Sequence, residues 1–391
     1  MNALNPQLRA AGGRCGRWLS LVNLLGALWA QPGPATMSDG FALPQLGHVF
    51  TFPRDHGAHP EFRLEWWYLT GHLFADGGSR YGFQATFFRQ TAPDKSTQLH
   101  LAHMALLDVQ TGRFLHQERL NRDGWDASAS NVTLAVRNGP WSLRFAAKDG
   151  APPRAEDRSA APAADPMEPM TLLGGIRSEV SFALALTPTK PLVRFGVNGY
   201  SRKGAELSAA SYYLTFPRLA IDGQLTLGAA APIRVRGEAW MDHEISSSQL
   251  GRDQVGWDWV SIQFNDTPSR ELMLYRMRRR DGTTDPASVL QWVSGEGQPT
   301  ARPFSWEVLS EWKSATTGAT YPARVRIATT DLATGAPVSF TLVPLAAEQE
   351  LSGRLGGIAY WEGACRVFDA AGREVGSAYM ELTGYAQALK F

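Results

Sequence analysis

The sequence predicts an all-β protein built from two antiparallel β-barrel domains in tandem. Apolar and polar residues alternate with a period of two in most patterned segments, as in strands with one buried face. No window of a dozen residues is rich enough in helix-forming residues to favour a long helix. The 391 residues suffice for two domains. Two barrels would accommodate about 17 short strands while leaving few open sheet edges.

We assign residues 37–220 to the N-terminal barrel. Asn138-Gly139 joins two alternating segments and is a strong hairpin signal. The aperiodic, Ala- and Pro-rich stretch Ala151–Met170 is predicted as an exposed loop. The predicted strands are Leu64–Phe74, Tyr81–Arg89, His100–Val109, Asn131–Arg137, Trp141–Ala147, Val180–Leu186, Val193–Tyr200 and Ser208–Phe216.

We assign residues 221–391 to the C-terminal barrel, with the boundary near Pro217–Leu225. The same alternation continues there without a helical segment. Its predicted strands are Ile233–Ala239, Gly256–Phe264, Glu271–Arg279, Val289–Val293, Phe304–Leu309, Ala323–Thr329, Val338–Leu345, Ile358–Val367 and Ser377–Tyr385.

Composition excludes several classes of function. Lys and Arg number 38 against 37 Asp and Glu, so no basic field exists to bind nucleic acid. Two cysteines exclude a disulfide framework and multi-cysteine zinc motifs, and Cys365 is predicted to be a buried core residue. The sequence has no P-loop, Gly-x-Ser-x-Gly elbow or His-Glu-x-x-His motif.

The N-terminus predicts export. Arg14 and Arg17 precede the apolar stretch 18–30, which is followed by small residues, as in a secretory signal. The apolar stretch is shorter than the roughly 20 residues that span a bilayer. We therefore expect residues 1–36 to be a signal peptide and leader, and the protein to be periplasmic or secreted. If Met37 is the true start, the protein is cytoplasmic.

The first candidate site is the segment that contains Glu65-Trp66-Trp67-Tyr68. On a strand, Glu65 and Trp67 share one face, and Trp66 and Tyr68 share the other. A carboxylate buried beside an indole has a raised pKa, which suits a general acid near neutral pH. Alternatively, Glu65 faces water and the tryptophans fill a core.

His48, His56 and His59 precede this strand and could supply three metal nitrogens. Their spacing is that of a loop, and no set of acidic residues that would orient them as ligands is evident. A hydrogen-bonded loop is the favoured interpretation, and we predict neither a metal site nor a cofactor.

The second candidate site is the run Asp242-His243-Glu244. Charged residues rarely lie among indoles without a partner, because unpaired burial is costly. These three could donate a proton and hold water, or they could form an ion pair that closes a barrel mouth. The aromatic residues around them in sequence are Trp240, Trp257 and Trp259.

Five segments together resemble the AttH/CrtC family, which includes carotenoid 1,2-hydratases and bacterial predicted secreted hydrolases. The resemblance extends over roughly residues 43–391 and implies two lipocalin-like barrels with an apolar ligand pocket in or between them. The segments are His56–Glu61, Glu65–Gly71, Trp240–Glu244, Tyr360–Gly363 and Tyr379–Tyr385.

This resemblance implies acid-assisted addition of water to an isoprenoid or lipid-like substrate. Asp242 or Glu65 would protonate a double bond, indole faces would stabilise the cation, and His243 or Glu244 would hold the water. As a hydrolase, the protein would use Asp242 and His243 to activate water against an ester. The alternative is a non-enzymatic carrier of an apolar ligand that works with an ABC-type transporter. The pocket is expected to be lined by Trp66, Trp67, Tyr68, Trp240, Trp257 and Trp259.

Overall fold

The structure, a computed structural model, describes residues 35–92, 94–146, 167–353, 355 and 357–389. These residues form two curled antiparallel sheets, a nearly closed barrel and a half-barrel, which confirms the all-β, lipocalin-like architecture. Among them, no helix is long and apolar enough to cross a membrane. Residues 1–34 of the predicted leader lie outside the described residues, as does most of the predicted loop Ala151–Met170. Met170 itself begins a strand.

The first sheet is the nearly closed barrel and has thirteen strands. They are β1 (Leu64–Ala75), β2 (Arg80–Thr91), β3 (Gln98–Asp108), β4 (Arg113–Arg122), β5 (Ala127–Ala129), β6 (Ala135–Asn138), β7 (Trp141–Phe145), β8 (Met170–Ile176), β9 (Val180–Pro188), β10 (Val193–Arg194), β11 (Tyr200–Arg202), β12 (Ala210–Leu227) and β13 (Ile233–Ser248). Their order is β4-β3-β2-β1-β13-β12-β9-β8-β7-β6-β5, with β10 and β11 paired to β12. A short 3₁₀ helix, Arg54–His56, precedes β1.

The second sheet is the half-barrel and has ten strands. They are β14 (Gln254–Phe264), β15 (Glu271–Arg279), β16 (Val289–Val293), β17 (Pro299–Arg302), β18 (Ser305–Lys313), β19 (Thr320–Thr330), β20 (Pro337–Pro344), β21 (Glu350–Ser352), β22 (Ala359–Asp369) and β23 (Glu374–Thr383). Their order is β17-β16-β15-β14-β23-β22-β20-β19-β18, with β21 paired to β22.

The chain passes from the first sheet to the second between Ser248 and Gln254. The predicted boundary at 220/221 instead falls inside β12, and β13 pairs with both β1 and β12 of the first sheet. Pro217 lies within β12, where the register of β12 against β13 shifts between Phe216 and Leu219. A bulge of this kind lets a strand continue through a proline, which cannot donate a ladder hydrogen bond.

Strand β1 is buried on both faces. Trp67 and Leu69 pack into the apolar core of the barrel. Tyr68 and its neighbour Trp66 belong to a second apolar cluster, which also contains Trp259 of the second sheet. The second sheet thus covers one outer face of the barrel, and side chains on that face lie between the two sheets.

A buried ion-pair cluster joins the two sheets. Glu271 on β15 is fully buried and lies 2.5 Å from Lys190 Nζ and 2.7 Å from Arg218 Nε. Lys190 precedes β10 and Arg218 lies at the β12 bulge, so one carboxylate holds two cations of the other sheet. Removing one member of such a cluster leaves buried charge without a partner.

We therefore expect Glu271→Ala to lower the free energy of unfolding by about 3–5 kcal/mol, measured by urea denaturation. The control is Asp222→Ala, which breaks the exposed Asp222–Arg234 pair of 2.6 Å. It should cost less than about 1 kcal/mol. Equal losses for the two variants would contradict a joining role for Glu271.

Candidate active site

The structure separates the three consecutive residues of the second predicted site. Asp242 and Glu244 face the second sheet, whereas His243 faces the interior of the barrel, where its Nε2 lies 2.8 Å from Glu65 Oε1. Neighbouring residues of a strand point to opposite faces, so Asp242 and His243 cannot act as one pair. The four predicted catalytic residues therefore form two groups, Asp242 with Glu244 and His243 with Glu65.

A cavity of about 290 Å³ lies between the two sheets; we call it the intersheet cavity. One part of its wall is apolar, and two leucines of that wall, Leu120 and Leu355, are also solvent-exposed. The other part is polar and aromatic. The lining residues that matter here are Phe88, Leu99, Leu101, Leu120, Leu355 and Ile358 on the apolar side, and Trp66, Tyr68, Lys203, Asp242, Glu244, Trp257, Trp259, Tyr275 and Glu381 on the other.

Two of the six predicted pocket aromatics do not line this cavity. Trp67 lies in the barrel core, where its ring stacks on His243 with centroids 4.8 Å apart. Trp240 lies behind Asp242 and donates its indole N–H to Asp242 Oδ1 at 2.7 Å. Glu65 is part of the cavity lining, but its carboxylate oxygens are bound inside the barrel by His59 and Arg89.

Three short hydrogen bonds hold the Asp242 carboxylate. Thr215 and Trp240 donate to Oδ1 at 2.6 and 2.7 Å, and the Tyr213 hydroxyl donates to Oδ2 at 2.7 Å. Tyr213 in turn accepts the indole N–H of Trp259 at 2.9 Å. Burial raises the pKa of Asp242 to about 7 although these donors oppose the shift. Asp242 can therefore exchange a proton near neutral pH.

Glu381 is a second carboxyl group of this kind, and it is not among the site residues predicted from the sequence. It lies on β23 and accepts the Trp257 indole N–H at 2.9 Å, the one hydrogen bond it receives from the described residues. Burial, helped by the charges of Glu244 and Asp242, raises its pKa to about 7. Its position inside an apolar run of β23 was the available signal, but only the docking of two sheets brings it near Asp242.

Lys203 was also missed, because it lies in the loop that follows β11. It is buried, its Nζ lies 3.1 Å from Glu244 Oε2, and it sits 4.3 and 3.9 Å from the ring centroids of Tyr213 and Tyr275. Ser211 also donates to Glu244. Glu244 is thus a paired structural anion, which leaves Asp242 and Glu381 as the carboxyl groups available for proton transfer.

Inside the barrel, Glu65 is the centre of an ion-pair network. Its Oε1 lies 2.8 Å from both His59 Nδ1 and His243 Nε2, and its Oε2 accepts Arg89 Nε at 3.0 Å. Burial lowers the pKa of His59, but the charge of Glu65 and hydrogen bonds to Asp55 and Glu65 outweigh it and raise the pKa to about 9. His59 is therefore a buried cation at neutral pH.

His59, Glu65 and His243 are also the described residues that come near enough together to ligate a metal ion. Metal binding through His59 Nδ1 would require His59 to lose a ring proton, whereas its pKa of about 9 favours the protonated ring and an ion pair with Glu65. Of the three histidines considered in the sequence, His48 and His59 both contact Asp55, at 3.7 and 3.2 Å, whereas His56 packs elsewhere. His48 stacks on Tyr212 at 4.4 Å, and His56 packs on aromatic rings of the core.

This network predicts a loss of stability in alkaline solution. A histidine whose pKa rises from 6.5 to about 9 on folding contributes stability that is complete below pH 6.5 and lost as pH rises through 9. Over that range we expect the unfolding free energy of the wild type to fall by roughly 2–3 kcal/mol more than that of His59→Gln. Urea denaturation at successive pH values measures both. Parallel curves would show that His59 is neutral when folded.

Comparisons with known proteins agree with this architecture. The family model described as AttH-like matches residues 44–385. The crystal structure of a candidate AttH from Nitrosomonas europaea superimposes with a TM-score of 0.74 at 32% identity, covering 88% of this chain and all of that one. Among proteins of curated function, none matches the sequence significantly.

Two more distant structures share the fold. Kievitone hydratase from Nectria haematococca superimposes with a TM-score of 0.63 at 13% identity, covering 90% of this chain and 96% of that one. CghA in complex with Sch210972 gives a TM-score of 0.52 at 13% identity, covering 83% and 89%. At these identities the likeness concerns the fold alone.

Proposed function

The chain belongs to the AttH-like family, and on that premise we propose that it is a hydratase. It adds water to a carbon–carbon double bond of an apolar, isoprenoid or lipid-like molecule held in the intersheet cavity. The observation that carries the proposal is that Asp242 and Glu381, two carboxyl groups with pKa values of about 7, face an aromatic and apolar cavity. A hydratase of the same fold, kievitone hydratase, supports it as an analogy.

Glu381 is the proton donor in this proposal. One indole N–H binds it, and it is half-buried in the cavity wall. Asp242 receives three hydrogen bonds, which stabilise its ionised form. The resemblance implied Asp242 or Glu65 as the acid. In this proposal Asp242 stays a catalytic residue but has the role of the carboxylate, and Glu65 is part of the barrel network.

The carbocation that forms on protonation needs negative charge and aromatic faces around it. The rings of Trp66 and Trp257 stack with centroids 6.4 Å apart, and Trp259 lies edge-on to Tyr68 at 5.2 Å. Cation–π attraction is worth about 2 kcal/mol or more per ring where water is excluded. The Asp242 carboxylate adds a formal charge on the same side of the cavity.

The step balances with water as the only co-reactant. The Glu381 proton forms a new C–H bond as the π bond breaks. Water adds its oxygen to the cationic carbon and loses one proton to the Asp242 carboxylate. That proton returns to Glu381 through solvent in the cavity, so the protein ends in its starting state.

We expect Glu381→Gln and Asp242→Asn each to lower kcat by ~10²–10⁴-fold, the usual effect of losing acid–base assistance. Substrate affinity should change little, because buried apolar area holds the ligand. The assay incubates purified protein with a panel of acyclic isoprenoid alkenes and detects by mass spectrometry the gain of one water. Glu374→Gln, on the same strand but exposed and away from the cavity, is the matched control.

Three results would contradict this proposal. Wild-type protein that binds the alkenes without converting any of them would favour the carrier. Conversion of esters but not alkenes would favour the hydrolase. Full turnover by Glu381→Gln together with a lowered melting temperature would make Glu381 structural.

The pH dependence of kcat tests the two roles separately. Activity needs Glu381 protonated and Asp242 ionised, and because the two groups repel each other their protons leave in two steps on either side of about pH 7. We expect a bell-shaped profile centred there. In Asp242→Asn the fall in kcat at acidic pH should disappear, and the fall at alkaline pH should remain. If the alkaline fall disappears instead, Asp242 is the proton donor and Glu381 the carboxylate.

A further inference from the structure

Four buried oxygen atoms near the intersheet cavity have no hydrogen-bond partner among the described residues. They are Thr70 Oγ1, Gln84 Oε1, Glu362 Oε1 and the Tyr379 hydroxyl. Their residues are between 0 and 2% exposed. A buried polar group without a hydrogen-bond partner lowers the stability of the fold by about 1–3 kcal/mol. Because four such groups lie in one region, we expect them to share a partner.

The strand register groups these residues in two pairs. Thr70 and Gln84 lie directly opposite each other on β1 and β2 of the first sheet. Glu362 lies opposite Glu381 on β22 and β23 of the second sheet, and Tyr379 is two residues before Glu381. Glu362 and Tyr379 are therefore diagonal neighbours on one face.

Contacts between the sheets bring the two pairs together. The Tyr68 hydroxyl donates to Glu362 Oε2 at 3.0 Å, and the His72 ring lies 6.3 Å from that of Tyr379. Tyr68, Thr70 and His72 alternate along β1 and so share a face. Thr70 therefore lies on the face that contacts Glu362 and Tyr379, and we call the region lined by Thr70, Gln84, Glu362 and Tyr379 the polar chamber.

We infer that the polar chamber is a binding site for water. Its groups combine one amide oxygen, which only accepts, with two hydroxyl groups and a carboxyl group, which can donate. A water molecule satisfies such a set with two to four hydrogen bonds, as buried waters commonly do. Burial and the neighbouring Glu381 raise the pKa of Glu362 well above its ordinary range, which keeps that carboxyl group neutral and able to donate.

The polar chamber adjoins the proposed proton donor. Glu362 is the cross-strand neighbour of Glu381, and its partner Tyr68 lines the intersheet cavity. The inferred role, which rests on the proposed function, is to hold the water that the reaction consumes next to an otherwise apolar substrate. This makes Thr70 and Tyr379 positioning residues rather than catalytic ones.

The test compares the double variant Thr70→Val, Tyr379→Phe with a matched control, Thr329→Val. Thr329 is also a buried threonine, but its hydroxyl donates to Pro303 O at 2.8 Å. Water-¹⁷O relaxation dispersion counts long-lived internal waters, and a high-resolution crystal structure locates them. We expect the wild type and the control to hold a water within hydrogen-bond distance of at least three of the four oxygens, and the double variant to lose it.

Turnover of the isoprenoid alkenes provides the second readout. The double variant should lower kcat by roughly 10–10²-fold with KM unchanged, the scale of losing a positioned reactant. A chamber that holds water in a protein that hydrates no alkene would refute the proposed function and leave the water site standing. Equal water counts in wild type and double variant, or a crystal structure in which the four oxygens bind one another, would overturn the site. If the double variant loses the water but keeps its kcat, the bound water has no role in the reaction.

Discussion

The wall formed by β1 and β13 is buried on both of its faces, and the rest of the structure depends on this constraint. One face closes the core of the barrel, and the other is covered by the second sheet. Every charged residue on the wall must therefore find a partner inside the protein or give up its charge. Glu65 takes the first course, whereas burial raises the pKa of Asp242 to about 7, so that this group can exchange its proton near neutral pH.

The pKa values of the carboxyl groups differ in direction between the two faces of the wall. Inside the barrel, Glu65 is surrounded by Arg89, His59 and His243, and its pKa is lowered despite complete burial. Between the sheets, Lys203 balances Glu244, and Asp242 and Glu381 have raised pKa values. The barrel network is thus suited to stability, and the intersheet cavity to proton transfer.

Much of the fold could be predicted from the chain alone. Period-two alternation located most of the strands, since it reflects local backbone geometry. It failed at Pro217, where a bulge carries β12 through the predicted boundary. It also could not show that β1 is buried on both faces, because burial of the second face depends on a sheet whose residues lie far away in the sequence.

The sequence by itself determined the strand class, because alternation is a local property, and five of its segments carried the resemblance to the family. It also made Glu65, Asp242 and their aromatic neighbours candidates for the site. Only the tertiary structure decided which of these residues meet. It separated His243 from Asp242, since adjacent residues on a strand face opposite ways. It brought Glu381 from the last strand to Asp242, since two sheets packed face to face join residues that no spacing in the sequence relates.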